Sequence, residues 1–301
     1  MRLIPTAASL VENLPRPLRR HRLIVGWMML TGEDPVQLVR IRDNYFGYAD
    51  MGEGFLRLIV IDQHYNEDFF FVADALLADG GTFFDVGANY GLLSFGLAGK
   101  HGAMIDFHLF EPNPRLVQAI GRTKVLYPAM RCTLNTVAVS DKAGTVSFEI
   151  NEAHTGASHI AVEGDVGIEV PALTLDCYIA EYSLEDIKLL KLDIEGFEVC
   201  ALRGARRSLI ERRIKAVYFE YSEKQLIRVG PPTELIEFLD SIGFVSCFAR
   251  ACDYIPRGGP THTIVTGRAG HGLKLLPIAG HDRPPMTDLL AVPQEHLELL
   301  T

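Results

Sequence analysis

The sequence has little that would staple or anchor it. Its five cysteines (Cys132, Cys177, Cys200, Cys247 and Cys252) are scattered and odd in number, and no C-x-x-C pair occurs. That usage offers neither a zinc site nor a disulfide framework, so a reducing, cytoplasmic setting is the expectation. Positive charge is in deficit: the net charge is −9 and the pI is near 5.6. Broad nucleic-acid binding leaves a basic footprint, so no nucleic-acid partner is expected, although a local basic patch would be compatible with this balance. A membrane span needs ~20 apolar residues. The run Leu23–Leu30, preceded by Arg16, Arg19, Arg20 and Arg22, falls far short of that. Basic residues before an apolar run suggest a signal peptide, but Thr31-Gly32-Glu33-Asp34-Pro35 gives no small-residue cleavage site. The run reads as a docked accessory helix, with peripheral membrane contact as the other reading. Internal repeats and low-complexity tracts are also missing.

What is present suits one large α/β domain with additions: 301 residues, 48% hydrophobic and 22% charged. The chain is organised around Thr82-Phe83-Phe84-Asp85-Val86-Gly87-Ala88-Asn89-Tyr90-Gly91-Leu92-Leu93-Ser94. Phe83, Phe84 and Val86 suit a strand buried on both faces of a parallel sheet. Gly87 and Gly91 free the following turn of side-chain bulk, so a ligand can lie against main-chain N–H groups. Ser94 falls in the first helical turn, where its hydroxyl and the free N–H groups could hold an anion. Two ligands fit such a unit, a dinucleotide pyrophosphate and the amino-acid end of S-adenosylmethionine (SAM). A dinucleotide turn wants G-x-G-x-x-G. Here Asn89 stands where the second glycine belongs, which favours SAM. A plain tight connection between strand and helix is the structural alternative.

Strand–helix alternation continues along the chain. Residues 1–50 read as helical and irregular pieces broken at Pro15, Pro17 and Pro35. Phe55–Ile61 reads as a strand and Asp68–Leu77 as a helix. The second main strand, Ala103–Phe110, ends in Glu111-Pro112-Asn113-Pro114. An acid there, about 20 residues beyond the turn, can accept both hydroxyls of a ribose; a capped turn built on Asn113 is the competing reading. Arg131–Val139 is a third strand, with Asn135 and Ala138 in the half where an adenine could rest. Thr145–Ile150 reads as its hairpin partner. The polar connection Asn151–Gly167 carries His154, Ser158 and His159. A fourth strand, Ile187–Leu192, ends in Asp193, Glu195 and Glu198, at the end of the sheet that faces the ligand crevice. Glu195 and Glu198 could instead complement the next helix N-terminus. A fifth strand ends in Glu220, a sixth spans Phe244–Ala249, residues 257–285 read as irregular, and Asp288–Pro293 is the last strand. Only a doubly wound sheet accommodates this order.

The ordered set D-V-G-A-N-Y-G…S, F-E-P-N-P, N-T-V-A-V-S-D-K-A-G, L-T-L-D and L-L-K-L-D-I-E-G-F-E…L-R-G-A resembles the FkbM-type methyltransferases over roughly Gly80–Glu223. The resemblance implies a Rossmann-like, class I methyltransferase fold: a seven-stranded, mostly parallel sheet whose last strand is antiparallel, with helices on both faces. It would occupy residues 80–301, after an accessory helical and β region at 1–79. It implies SAM-dependent methyl transfer to oxygen on a sugar, glycan, lipid-linked saccharide or natural-product acceptor. Asp85, Gly87, Asn89, Gly91 and Ser94 would line the methionine end of SAM, Glu111 would hold the ribose, and Asn135 and Ala138 would lie near the adenine. Asp193 and Glu195 would face the acceptor.

An aliphatic hydroxyl attacks well only if its proton leaves as the bond forms, so a general base is sought. Asp193, His154 and His159 are the catalytic candidates, with Ser158, Glu195 and Glu220 on the acceptor side. Asp193 and Glu220 together leave a Mg²⁺-type site open. Rival readings are a nicotinamide oxidoreductase, an RNA methyltransferase and a non-catalytic SAM-binding scaffold.

Overall fold

The computed structural model describes residues 26, 28, 30–32, 34–53, 65–151, 154–162, 165–250, 262–265, 272–278 and 285–299. The described chain opens with a hairpin of β1 (Val36–Arg42) and β2 (Tyr45–Asp50), followed by α1 (Glu67–Leu76). Then come β3 (Gly81–Val86), α2 (Leu92–His101), β4 (Ile105–Phe110), α3 (Pro114–Lys124) and β5 (Arg131–Asn135). Four short strands follow, β6 (Ala138–Val139), β7 (Gly144–Glu149), β8 (His159–Ile160) and β9 (Ile168–Leu173). The second half holds α4 (Leu175–Glu181), β10 (Ile187–Leu192), α5 (Glu198–Arg203), α6 (Arg206–Ile210), β11 (Val217–Ser222), α7 (Glu223–Leu226) and α8 (Glu234–Ser241). It ends with β12 (Phe244–Arg250), β13 (His262–Val265), β14 (Gly272–Pro277), β15 (Met286–Pro293) and β16 (Glu298–Leu299).

The main sheet runs β5-β4-β3-β10-β11-β15-β12-β14-β13-β16. Strands β5, β4, β3, β10 and β11 are parallel, and β15 slots antiparallel between β11 and β12. The seven strands from β5 to β12 are the expected sheet, with the last in sequence antiparallel. Apolar residues alternate between two cores. Phe83, Phe107 and Leu189 face one, with α1, α2 and α3; Phe84, Phe110 and Leu190 face the other, with α4, α5, α6 and α8. Helix starts follow local chemistry. Asn113 accepts a hydrogen bond from Arg115 N at 3.0 Å with Pro114 as the first helical residue, and Thr174 accepts from Cys177 N at 3.2 Å.

Several expectations change. Residues 36–50, read from sequence as part of a helical and irregular region, form the β1–β2 hairpin. Its alternating burial lays one face on α2 and α3, where Tyr48 N donates to Thr123 Oγ1 at 2.9 Å, and Phe46 N donates to Tyr127 Oη at 2.9 Å just beyond α3. Within the irregular stretch 257–285, residues 262–265 and 272–277 form β13 and β14, which with β16 extend the sheet by three antiparallel strands. The hairpin expected from Arg131–Val139 and Thr145–Ile150 is not one. β9 lies between β6 and β7, and with β8 they form a separate four-stranded sheet, because the chain leaves the main sheet after Asn135. The expected strand Phe55–Ile61 and most of the Leu23–Leu30 run lie outside the described residues. Within that run Met28 is buried in the first core. Among the described residues no helix is long and apolar enough to cross a membrane.

Candidate active site

The carboxyl ends of β3, β4, β10 and β11 open onto a cavity of about 640 Å³, the place where open α/β sheets bind ligands. Its floor is the glycine turn. Gly87 has φ +73°, and a Cβ there would lie 2.0 Å from the Asp193 carbonyl oxygen, so only glycine lets β3 and β10 end this close together. Asn89 is also left-handed, at φ 53°. Its N–H donates to Glu111 Oε2 at 2.8 Å, while Asn113 N donates to Glu111 Oε1 at 2.9 Å. Both carboxylate oxygens of Glu111 are thus held by backbone, each keeping a further lone pair for the cavity. Burial pushes the Glu111 pKa up to about 7, against the lowering effect of those two N–H groups. Asn89 lines the cavity, and its Oδ1 is buried without a hydrogen-bond donor.

Asp85 and Ser94 sit beneath this floor rather than on it. Both are fully buried, and Ser94 Oγ donates to Asp85 Oδ2 at 2.6 Å. Gly91 caps α2 in a left-handed conformation, packed against Phe95, Ile120 and Leu109. Lys191, which the motif reading passed over, completes the layer. Parallel pairing sets it beside Asp85, and its Nζ lies 3.2 Å from Asp85 Oδ1 and 3.4 Å from Asp193 Oδ2. It also donates to Gly87 O at 2.8 Å. Burial opposes the charge on Lys191, but Asp85 and Asp193 outweigh it and hold its pKa above the ordinary lysine value. A lone cation inside the apolar run L-L-K-L-D was the available signal.

The opposite wall is acidic. Asp193, Glu195 and Glu220 each place a carboxylate oxygen within 4.8 Å of the others, a spacing that a divalent cation could bridge. Glu195 accepts from the Gln225 amide. Burial, then Asp193, lifts its pKa to about 7. Burial, then Asp193 and Glu195, lifts Glu220 to about 8. The helix-complementing role falls to Glu198, which accepts from Ile194 N at 3.0 Å and Gly196 N at 3.3 Å. Glu195 faces the cavity instead.

The third wall combines Val137, Ala138 and Val139 with the loop His154–Ser158. Asn135 lies behind this wall, its Nδ2 donating to Leu109 O at 3.1 Å and to Tyr178 Oη at 3.2 Å. His154 and Ser158 line the cavity, whereas His159 is buried away from it between Glu149 and Asp165. The loop is tethered by Glu53, another residue with no sequence signal. Glu53 accepts from Thr155 N at 3.0 Å, Thr155 Oγ1 at 2.6 Å and, through its other oxygen, Tyr90 Oη at 2.6 Å.

The family described as the methyltransferase FkbM domain matches residues 85–255, more than half of the chain. The chain belongs to the FkbM methyltransferase domain family. The match begins at Asp85, in the strand that leads into the glycine turn, and includes the acidic wall. A curated relative, the 2-O-methyltransferase NoeI of Sinorhizobium fredii (strain NBRC 101917 / NGR234), is 26% identical over 162 residues. That match spans 48% of this chain and 65% of NoeI, just under two thirds of the relative's length. Among solved structures, a precorrin-6y C5,15-methyltransferase from Geobacter metallireducens GS-15 shares 14% identity at a TM-score of 0.38, covering 78% of this chain and 92% of that one. A SAM-dependent O-methyltransferase from Thermotoga maritima shares 13% at a TM-score of 0.39, covering 88% and 80%. Likeness at that level carries no argument about function.

Proposed function

We propose that this FkbM-domain chain transfers a methyl group from SAM to a hydroxyl of a saccharide, glycan or natural-product acceptor. The single observation that carries this reading is the pairing, on one cavity, of a cofactor wall with an acidic wall. The cofactor wall is Glu111 beside the undonated Asn89 Oδ1, and the acidic wall is Asp193, Glu195 and Glu220. The residues fit the cofactor. Asn89 Oδ1 supplies an acceptor for an ammonium, Glu111 has lone pairs for two ribose hydroxyls, and Val137 and Ala138 offer apolar surface to an adenine. When bound, SAM supplies an electrophilic methyl on a sulfonium. The family supports methyl transfer, and the relative named as a 2-O-methyltransferase supports transfer to an oxygen.

The chain's own residues then have separable tasks. Glu111 and the glycine turn orient the cofactor, and the tethered His154–Ser158 loop keeps one wall in place. Glu220 takes the acceptor's proton. Its pKa of about 8 makes it a stronger base than an ordinary carboxylate while keeping it partly ionised near neutrality. Asp193 is paired with Lys191, and its negative charge helps to raise the pKa of Glu220 and Glu195. Calorimetric titration with SAM and S-adenosylhomocysteine tests the cofactor half: micromolar binding is expected, lost in Glu111→Ala. NADH binding instead would transfer the reading to an oxidoreductase. For the acid wall, Glu220→Gln should lower kcat by about 10²–10⁴-fold with SAM affinity unchanged. An undiminished kcat would remove Glu220 from proton transfer.

A further inference from the structure

A second cluster of metal-binding side chains lies outside the cavity, on the small sheet. Glu149 ends β7, and His159 opens β8 directly across from it in the antiparallel register. Asp165 reaches in from the following loop. One ligand atom from each lies within 4.8 Å of the others. The His159 side chain is 9% exposed, Asp165 26% and Glu149 36%.

The histidine's tautomer follows from its neighbours. Nδ1 lies 3.1 Å from the Ala157 carbonyl oxygen, which can only accept, so Nδ1 carries a proton. In the neutral ring Nε2 then presents a lone pair, and it faces Asp165 Oδ2 at 3.5 Å and Glu149 Oε2 at 3.7 Å. An imidazolium hydrogen-bonded to either carboxylate would bring nitrogen and oxygen to about 2.7–2.9 Å. Both separations are well beyond that. Two ligands on a tetrahedral ion with bonds of about 2.0–2.1 Å stand about 3.4 Å apart, close to what is found here. The outer contacts are those of a ligand set as well: a carbonyl fixes the ring from behind, and Val162 N donates to Asp165 Oδ2 at 2.9 Å.

We propose that Glu149, His159 and Asp165 form a binding site for a divalent first-row transition ion, with zinc the probe of choice. One imidazole and two carboxylates suit zinc or manganese better than a soft, thiolate-seeking ion. Two negative charges facing a neutral ring are balanced by a dication. Because Glu149 and His159 flank the loop His154–Ser158, an ion there pins the chain on both sides of one cavity wall. This site is independent of the cofactor reading, since none of its three residues touches the cavity.

The test is calorimetric titration of the tag-free, metal-stripped full chain with Zn²⁺, alongside His159→Gln, Glu149→Gln and Glu220→Gln. The expected result is one equivalent bound by the parent chain and by Glu220→Gln, with affinity at least tenfold weaker in the other two variants. Loss of a direct ligand should cost no less than the 10–100-fold typical of outer-shell partners. Should His159→Gln fail to fold, Glu149→Gln, whose side chain is more exposed, reads the same site. The proposal is overturned if the parent chain shows no saturable binding. It is equally overturned if Glu149→Gln binds as tightly as the parent chain, or if binding disappears in Glu220→Gln, which would place the ion on the acidic wall of the cavity.

Discussion

Replacing Lys191 with methionine keeps an unbranched apolar side chain of nearly the same length and deletes the ammonium, with its charge and its hydrogen-bond donors. The consequences follow from its surroundings. Lys191 is 5% exposed and Asp85 1%, so neither reaches water. In Lys191→Met the Asp85 carboxylate would keep only the Ser94 hydroxyl, and Gly87 O would lose its donor. Breaking one partner from a buried ion pair costs about 3–5 kcal/mol, a large part of the 5–15 kcal/mol of a typical domain. With an unfolding entropy of about 2.1 cal/mol/K per residue over 301 residues, the midpoint should fall by about 5–8 °C. Asp85→Asn in the same chain removes the stranded charge, so the double variant should be at least ~1 kcal/mol more stable than Lys191→Met alone. Urea unfolding of the four chains of this cycle supplies the numbers. A Lys191→Met chain within ~1 kcal/mol of the parent would refute the reasoning, as would a double variant no better than the single. In either case Asp85 would not be a buried charge that depends on Lys191.

Three further predictions concern the same cavity. If the ionised Glu111 accepts the ribose hydroxyls, SAM affinity should rise with pH up to about 7, by at most about tenfold per unit, and then level; a profile unchanged in Glu111→Gln would contradict this. Glu195 and Glu198 near 7 and Glu220 near 8 lie above their unfolded values. The native state therefore holds more protons than the unfolded one from about pH 4.5 to pH 8. Stability from these groups is complete below that window and falls as pH rises through it; thermal scans at three pH values should show the decline, with a shallower slope in Glu220→Gln. Gly87→Ala would drive a methyl onto the Asp193 carbonyl at φ +73°, costing at least about 2 kcal/mol and abolishing SAM binding. Parent-like stability and binding would show that the turn has room.

The sequence by itself determined the seven strands of the sheet from β5 to β12 and which end of them carries the crevice. Buried apolar runs separated by amphipathic helices permit little but a doubly wound fold. Glycine at Gly87 and an acid at Glu111 mark the crevice: close backbone approach demands the first, and the second is the residue type that the proposed ribose contact needs. Such local chemistry is legible without coordinates. Tertiary structure decided which way each side chain points and what it meets. Asp85 and Ser94 belong to the same motif as Asn89, yet Asp85 faces inward to Lys191 and Ser94 to Asp85, while Asn89 faces the cavity. The register of β3 against β10 sets Asp85 beside Lys191, and register is a property of two strands rather than one; Asn89 lies in the turn beyond the strand and Ser94 in α2. His154 and His159 sit five residues apart in one polar loop. The small sheet, formed because β9 inserts between β6 and β7, sends one to the cavity and the other to Glu149 and Asp165. Glu53 meets Thr155 across 102 positions of chain. A contact of that range leaves no local pattern, so only the folded chain could bring it to the site.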